Sequence, residues 1–229
     1  MLDVQLRELM RDGSRRICDL GGGANPVAAI SEIERFDATY VVVDSSPAEL
    51  AKSSPQYQRL NLDIADHSAV GWLIAERGPF DTVVTRWTAE HVPDGRSFHE
   101  QVHRLLRPGG TALHLFPTLY SPIFLANRLL PPRASSWLLG QVQDGREAEG
   151  DHAKFRPYYS WCRGPSRGQL RRLAELGFAT RLYVGFFGHP YYQRLTPLNA
   201  AHEHVSRWLT RRPVPALTSY ALMLLERAP

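Results

Sequence analysis

The sequence lacks the features of an exported or disulfide-stabilised protein. Its 229 residues include only two cysteines, Cys18 and Cys162, which are too few for a disulfide framework or a zinc site. No run of about eighteen apolar residues occurs, and the first residues lack the charged-then-apolar pattern of a secretory signal. We therefore expect a reduced, cytoplasmic protein with no stable membrane insertion.

Lysine is also scarce. The net charge is +4, yet Lys52 and Lys154 are the only lysines, and the arginines are scattered along the chain. Nucleic-acid binding would need a basic stripe with interleaved aromatics or a recognisable module, and neither is present. The histidines lack the tight spacing of metal ligands. We predict no nucleic-acid partner and no bound metal.

What is present is a regular alternation of strand and helix patterns. An apolar run such as Val41-Val42-Val43 is typical of parallel strands that are buried on both faces. The predicted strands are 15–20, 39–43, 60–63, 80–85, 111–116, 178–187 and 219–227. The predicted helices are an N-terminal one ending at Gly13, then 27–36, 45–52, 65–76, 97–106, 166–176 and 198–211. This order predicts an α/β fold with a doubly wound, mostly parallel seven-stranded sheet.

The alternation stops between Pro117 and Pro165. A structureless loop of this length is uncommon in a compact domain, so we expect helices there, at 123–130 and 134–139. With 43% hydrophobic residues, the chain suits one domain covering 1–229, with 117–165 as an insertion that binds substrate.

A glycine loop follows the first predicted strand. The strand ends in Asp19, and three consecutive glycines, Gly21, Gly22 and Gly23, let a ligand approach the backbone closely. Pro26 suits the first turn of the next helix. Asp44 lies about twenty residues further on, at the tip of the second strand, where an acid would bind a ribose hydroxyl pair.

Two cofactor classes fit this unit. A dinucleotide site uses G-x-G-x-x-G, but Pro26 occupies the third glycine position. An acid two residues before Gly21 would also repel a pyrophosphate, whereas it can pair with an ammonium group. S-adenosylmethionine carries an ammonium group and no phosphate, so Asp19 favours that cofactor over a nicotinamide dinucleotide.

These motifs resemble those of the class I S-adenosylmethionine-dependent methyltransferases, clearly over residues 15–116 and more weakly from Ser166 onwards. The resemblance implies that Asp19 to Gly23 wraps the methionine part of the cofactor. It implies that Asp44, with Ser45 beside it, binds the ribose, and that Asp63 and Ile64 bind the adenine. Asn25 stands where many members have a third glycine, and we expect it to adopt a left-handed turn.

The loop after the fourth strand carries the second distinctive motif. Thr85 and Trp87 are expected to border the cofactor, although for Trp87 a packing role is the favoured alternative. The sequence from Glu90 to Asp94, Glu-His-Val-Pro-Asp, is similar to that of the family's small-molecule branch, which includes quinone-biosynthetic and natural-product enzymes. His91 is the candidate catalytic base for acceptors that lose a proton, the alternative being that it holds the loop.

The acceptor pocket is expected to come from the insertion and from the end of strand six, where aromatic residues accompany a few polar ones. Such a lining suits a planar or hydrophobic small molecule. The candidate substrate-binding residues are Tyr120, His152, Tyr158, Tyr159 and His189.

The reaction predicted from these motifs is methyl transfer from S-adenosylmethionine to oxygen, nitrogen or carbon of a small molecule. Two alternatives stay open at this point: a regulator that binds the cofactor without turnover, and a nicotinamide-dependent oxidoreductase. A lipid-acting peripheral version and a homodimer are open as well.

Overall fold

The computed structural model describes residues 1–120, 156–189 and 196–228. The helices are α1 (Leu2–Arg11), α2 (Ile30–Arg35), α3 (Pro47–Lys52), α4 (His67–Arg77), α5 (Gly95–Leu105), α6 (Arg167–Glu175) and α7 (Thr196–Arg211). The strands are β1 (Arg16–Leu20), β2 (Thr39–Asp44), β3 (Gln58–Asn61), β4 (Phe80–Arg86), β5 (Leu106–Pro117), β6 (Phe178–Phe186) and β7 (Tyr220–Arg227). The helices predicted at 123–130 and 134–139 lie outside the described residues.

All seven strands form one sheet, in the order β3-β2-β1-β4-β5-β7-β6. Strands β1 to β5 are parallel to their neighbours, whereas β7 pairs antiparallel with both β5 and β6. The direction of winding reverses between β1 and β4, and ligands bind at this point in open α/β sheets, beyond the carboxyl ends of the strands. The predicted doubly wound, mostly parallel sheet is confirmed.

Side-chain caps fix where several helices begin. Asp66 accepts from the backbone NH groups of Ser68 and Ala69 at the start of α4, and Asp94 does the same for Arg96 and Ser97 at the start of α5. Ser166 caps α6, its hydroxyl accepting from the Gln169 NH. No helix among the described residues is long and apolar enough to cross a membrane.

Several predicted elements were wrong in their bounds, among them the strand expected at 60–63, which is Gln58–Asn61. The helix expected at 27–36 begins only at Ile30, because side chains hold the backbone of Val27 and Ala28 outside the helix. The strand expected at 111–116 already starts at Leu106, as β5, and pairs with β4 through an irregular register. Gly110 permits this, since a Cβ there would lie 2.9 Å from a backbone oxygen of Arg107.

Candidate active site

The glycine loop lies at the carboxyl end of β1, where the sheet reverses. Gly21 and Gly23 have φ angles of +73° and +35°, which side chains other than glycine rarely adopt. The NH of Gly21 donates to the Val43 carbonyl at 2.7 Å, which ties the loop to the end of β2. Asn25 does not have a positive φ, so the expected left-handed turn is wrong. The turn is made instead by its NH, which donates to the Gly22 carbonyl at 2.8 Å.

The three glycines leave no room for side chains. A Cβ on Gly22 would lie 2.8 Å from the carboxyl carbon of Asp19, and a Cβ on Gly23 would lie 2.7 Å from Asp44 Oδ2. At Gly21 a Cβ would overlap the side chain of Thr88, whose hydroxyl donates to the Leu20 carbonyl at 3.1 Å. The backbone of the loop therefore lies directly against both acids and against the turn after β4.

Asp19 is fully buried beneath this loop. Its Oδ2 accepts from the Tyr40 hydroxyl at 2.6 Å and from the Val27 NH at 2.8 Å. Its Oδ1 is also buried, and none of the described residues donates to it. Burial raises the pKa of Asp19 to about 6, against the opposite effect of these two hydrogen bonds. An unpartnered buried carboxylate oxygen is uncommon in proteins and calls for a specific explanation.

The other predicted cofactor residues follow β2 and β3. Asp44 is half-buried and its Oδ1 accepts from the Ser46 NH at 2.8 Å, while burial raises its pKa. Ser45 is exposed beside it. Asp63 lies two residues beyond the end of β3, exposed, with Oδ1 accepting from the Ala65 NH at 2.8 Å. Ile64 is partly buried against the main core.

Thr85 and Trp87 lie at the end of β4 but face different surroundings. The Thr85 hydroxyl is buried and 2.8 Å from Nδ1 of His114 in the core. Trp87 is 43% exposed and has a φ of +58°, which costs a bulky residue on the order of 1–3 kcal/mol. Its ring packs edge-on against Tyr220 with centroids 5.3 Å apart. The structure therefore holds a strained backbone that presents a large aromatic ring at the site.

The short 3₁₀ turn Ala89–His91 places two ionisable side chains together. His91 is partly exposed, with Nδ1 3.4 Å from the Arg156 carbonyl and Nε2 3.8 Å from Glu90 Oε1. Glu90 is buried, and its Oε2 has no hydrogen-bond partner in the described part of the chain. Burial raises the pKa of Glu90 to about 8.

Two of the predicted acceptor residues contact this turn. The NH groups of Tyr158 and Tyr159 both donate to the Glu90 carbonyl, at 2.7 and 3.0 Å. Tyr120 is 46% exposed just beyond β5, with the guanidinium of Arg163 5.1 Å from its ring centroid. His189 follows β6, with its ring centroid 4.1 Å from that of His202. His152 lies outside the described residues.

A large part of the chain matches a known protein family. A family described as a methyltransferase domain matches residues 4–179. The chain belongs to this methyltransferase family. It is an S-adenosylmethionine-dependent enzyme of the class I fold, which the glycine loop and the strand-end acids predicted. The nicotinamide alternative is therefore set aside. A search of curated proteins finds no match.

Solved structures of methyltransferases share the fold across almost the whole chain. An S-adenosylmethionine-dependent methyltransferase from Mesorhizobium loti is 19% identical with a TM-score of 0.59, over 99% of this chain and 98% of that one. A geranyl diphosphate C-methyltransferase from Streptomyces coelicolor is 16% identical with a TM-score of 0.56, over 99% and 79%. A methyltransferase from Archaeoglobus fulgidus is 12% identical with a TM-score of 0.56, over 98% and 92%.

The residues at the site fit S-adenosylmethionine. The loop of small residues, the free carboxylate oxygen of Asp19 and the acid at the end of β2 suit an ammonium group and a ribose, and the buried acid beside the loop does not suit a phosphate. Sequence reasoning missed Tyr40 and Thr88, which shape the loop, and assigned no role to Glu90. Tyr40 had one available signal, a polar aromatic residue that interrupts an otherwise aliphatic strand.

Proposed function

We propose that this methyltransferase acts on a small molecule, at an oxygen, nitrogen or carbon atom, and that the acceptor binds beside Trp87. The observation that carries the proposal is the conformation of Trp87. A left-handed backbone and a packed Tyr220 hold its ring at the carboxyl end of β4, while the ring stays 43% exposed. Strained backbone at a strand end is typical of functional positions.

The surroundings of Trp87 support an acceptor with an apolar or planar body. Tyr120 and Tyr220 lie at the same edge of the sheet, since Tyr220 pairs with Pro117 at the end of β5. Pockets of this kind combine aromatic surface with a few polar groups. Tyr158 would supply further aromatic surface, and His152 and His189 further polar groups, whereas the predicted Tyr159 is buried in the main core. We assign residues 117–165 to this acceptor-binding role.

The cofactor would be held by the loop and strand-end residues. Asp19 and the glycines Gly21 to Gly23 would contact its methionine part, Asp44 with Ser45 its ribose, and Asp63 with Ile64 its adenine. Trp87 and the backbone of Thr85 would border it at the end of β4. When bound, S-adenosylmethionine supplies an already activated methyl group, so the protein contributes mainly alignment of the acceptor.

His91 is the proposed base for acceptors that lose a proton on methylation. Its ring is partly exposed on the turn after β4, and a neutral imidazole nitrogen accepts a proton near neutral pH. The Arg156 carbonyl and Glu90 Oε1 lie near its two nitrogens and restrict the orientation of the ring.

An acceptor screen tests this proposal. Purified protein would be incubated with cofactor labelled in its methyl group and with separate panels of phenols and quinols, amines, isoprenoid diphosphates, peptides and RNA. The isoprenoid arm is included because one structural neighbour, 16% identical, is a geranyl diphosphate C-methyltransferase. We expect label in one of the small-molecule panels. Label only in peptide or RNA would overturn the proposal, and cofactor binding without transfer to any panel would favour a regulator.

A further inference from the structure

A hydrogen-bonded cluster lies beneath the glycine loop and is formed by side chains of β1 and β2. The Tyr40 hydroxyl donates to Asp19 Oδ2 at 2.6 Å and accepts from the Ala28 NH at 3.1 Å. The Val27 NH donates to the same carboxylate oxygen at 2.8 Å. The Tyr40 hydroxyl thus links the buried acid to the backbone that follows the loop. Because these hydrogen bonds hold that backbone outside the helix, α2 begins only after it.

A second tyrosine holds the same backbone without touching the acid. The Tyr57 hydroxyl donates to the Ala28 carbonyl at 2.9 Å, and its ring centroid is 6.2 Å from that of Tyr40. Both tyrosines therefore fix Ala28, but only Tyr40 hydrogen-bonds Asp19. This difference provides a matched pair of positions at which a single hydroxyl can be removed.

Oδ1 of Asp19 has no donor among the described residues, and an ammonium group could supply one. Gly22 lies directly against the carboxyl group, since a Cβ there would fall 2.8 Å from both its carbon and Oδ2, so a cation bound at the loop would be close to the carboxyl group as a whole. The other groups that influence its charge have opposing effects: Arg86 favours the anion and Asp44 disfavours it. Two weaker acids nearby, Cys18 and Tyr57, carry no charge near neutral pH.

We propose that Tyr40 is a positioning residue for the cofactor, and that binding of the cofactor's ammonium group expels a proton from Asp19. Tyr40 orients the carboxylate and stabilises its anionic form, and the bound cation completes that stabilisation. The proton passes from the carboxyl group to solvent, and no covalent bond of the cofactor changes. The inference concerns cofactor binding alone and holds whichever acceptor is methylated.

The size of the effect follows from proton linkage. Burial raises the pKa of Asp19 to about 6 in the free protein, and a nearby cation lowers a carboxyl pKa by about 1–3 units. Cofactor affinity is then highest above pH 6 and falls as the pH drops through 6, by about tenfold between pH 7 and pH 5. Binding at pH 6 releases about half a proton per cofactor molecule.

Isothermal titration calorimetry measures both quantities. S-adenosylhomocysteine, which keeps the ammonium group and lacks the sulfonium, is titrated into the full chain at pH 5, 6 and 7. Each titration is repeated in two buffers of different ionisation enthalpy, so that proton release is obtained directly. Binding without proton release at pH 6 would overturn this proposal and leave the cofactor assignment intact. Failure of both S-adenosylhomocysteine and S-adenosylmethionine to bind overturns it together with the cofactor assignment.

Two tyrosine variants separate positioning from packing. In Tyr40→Phe the carboxylate loses its hydroxyl donor, so we expect the midpoint of proton release to rise by roughly one pH unit. Tyr57→Phe removes the other tyrosine hydroxyl that contacts this backbone, and the midpoint of proton release should stay at the wild-type value. Equal midpoints in the two variants would overturn the role of Tyr40.

A third variant identifies the source of the proton even if Tyr40→Phe does not fold. Asp19→Asn removes the titrating group, so proton release at pH 6 should be smaller than in wild type by about half a proton. Undiminished release in Asp19→Asn would place the proton on another group, such as Asp44, and would overturn the proposal.

Discussion

Replacing Glu90 with glutamine should stabilise the protein at neutral pH. The Glu90 side chain is buried in the turn after β4, and its Oε2 has no partner among the described residues. Burial raises its pKa from 4.5 to about 8, because the charged form loses its hydration. Glutamine has nearly the same shape and never carries the charge, so Glu90→Gln removes the cost of ionisation.

The sign and size of this change in stability follow from the linkage between folding and proton binding. The folded protein binds the Glu90 proton more tightly than the unfolded chain, so this contribution to stability is complete below about pH 4.5 and is lost as the pH rises through 8. At pH 7 the unfolded chain gains about 3 kcal/mol by releasing the proton. We therefore expect Glu90→Gln to be about 3 kcal/mol more stable than wild type at pH 7, and equally stable near pH 4.

Urea unfolding of both proteins between pH 4 and pH 8 measures this difference. Glu175→Gln is the matched control, because the Glu175 side chain is 62% exposed and the same substitution there should change stability by less than about 0.5 kcal/mol. A Glu90→Gln difference that stays constant over this pH range would refute the argument. It would mean that Glu90 is ionised in the folded protein and is stabilised by a partner such as His91.

Three further predictions concern the acid at the end of β2, the glycine loop and the turn after β4. Asp44→Ala should weaken cofactor binding by about 1–3 kcal/mol, and wild-type affinity in calorimetry would reject the ribose assignment. Gly22→Ala should destabilise the protein by about 1–3 kcal/mol in urea unfolding, since its Cβ would lie 2.8 Å from Asp19. Gly71→Ala, in α4 with open space around it, should instead gain about 0.5–1 kcal/mol, and equal effects of the two substitutions would contradict the packing argument. His91→Ala should lower turnover of the identified acceptor far more than cofactor affinity, whereas unchanged turnover would make His91 structural.

Most of the fold was accessible from the sequence because its signals are local. The Val41-Val42-Val43 run indicated a strand buried on both faces. Ser166 lies at the start of a helix, where its side chain accepts from an NH only three residues further along the chain. The predicted bounds were wrong where residues distant in the sequence determine the local structure. The start of α2 depends on hydroxyl groups of Tyr40 and Tyr57, which lie more than ten residues further along the chain.

The candidate site was selected from the sequence through spacing. The acids and glycines proposed to bind the cofactor come at fixed intervals along the chain, so Asp19, Gly21 and Asp44 could be singled out, and the structure places Asp19 and Asp44 against the glycine loop. What the sequence could not reveal is which atoms of those residues are already engaged. Asp19 was expected to face a ligand, and the structure shows one of its oxygens held from below by Tyr40.

The two NH groups that converge on the Glu90 carbonyl have a practical consequence for engineering. They join the backbone of Tyr158 and Tyr159 to the turn that carries His91. A stretch at 156–165 taken from a relative would keep these contacts only where its backbone follows the same path beside this turn. Chimaeras made to alter acceptor choice should carry residues 85–94 and 156–165 from the same parent.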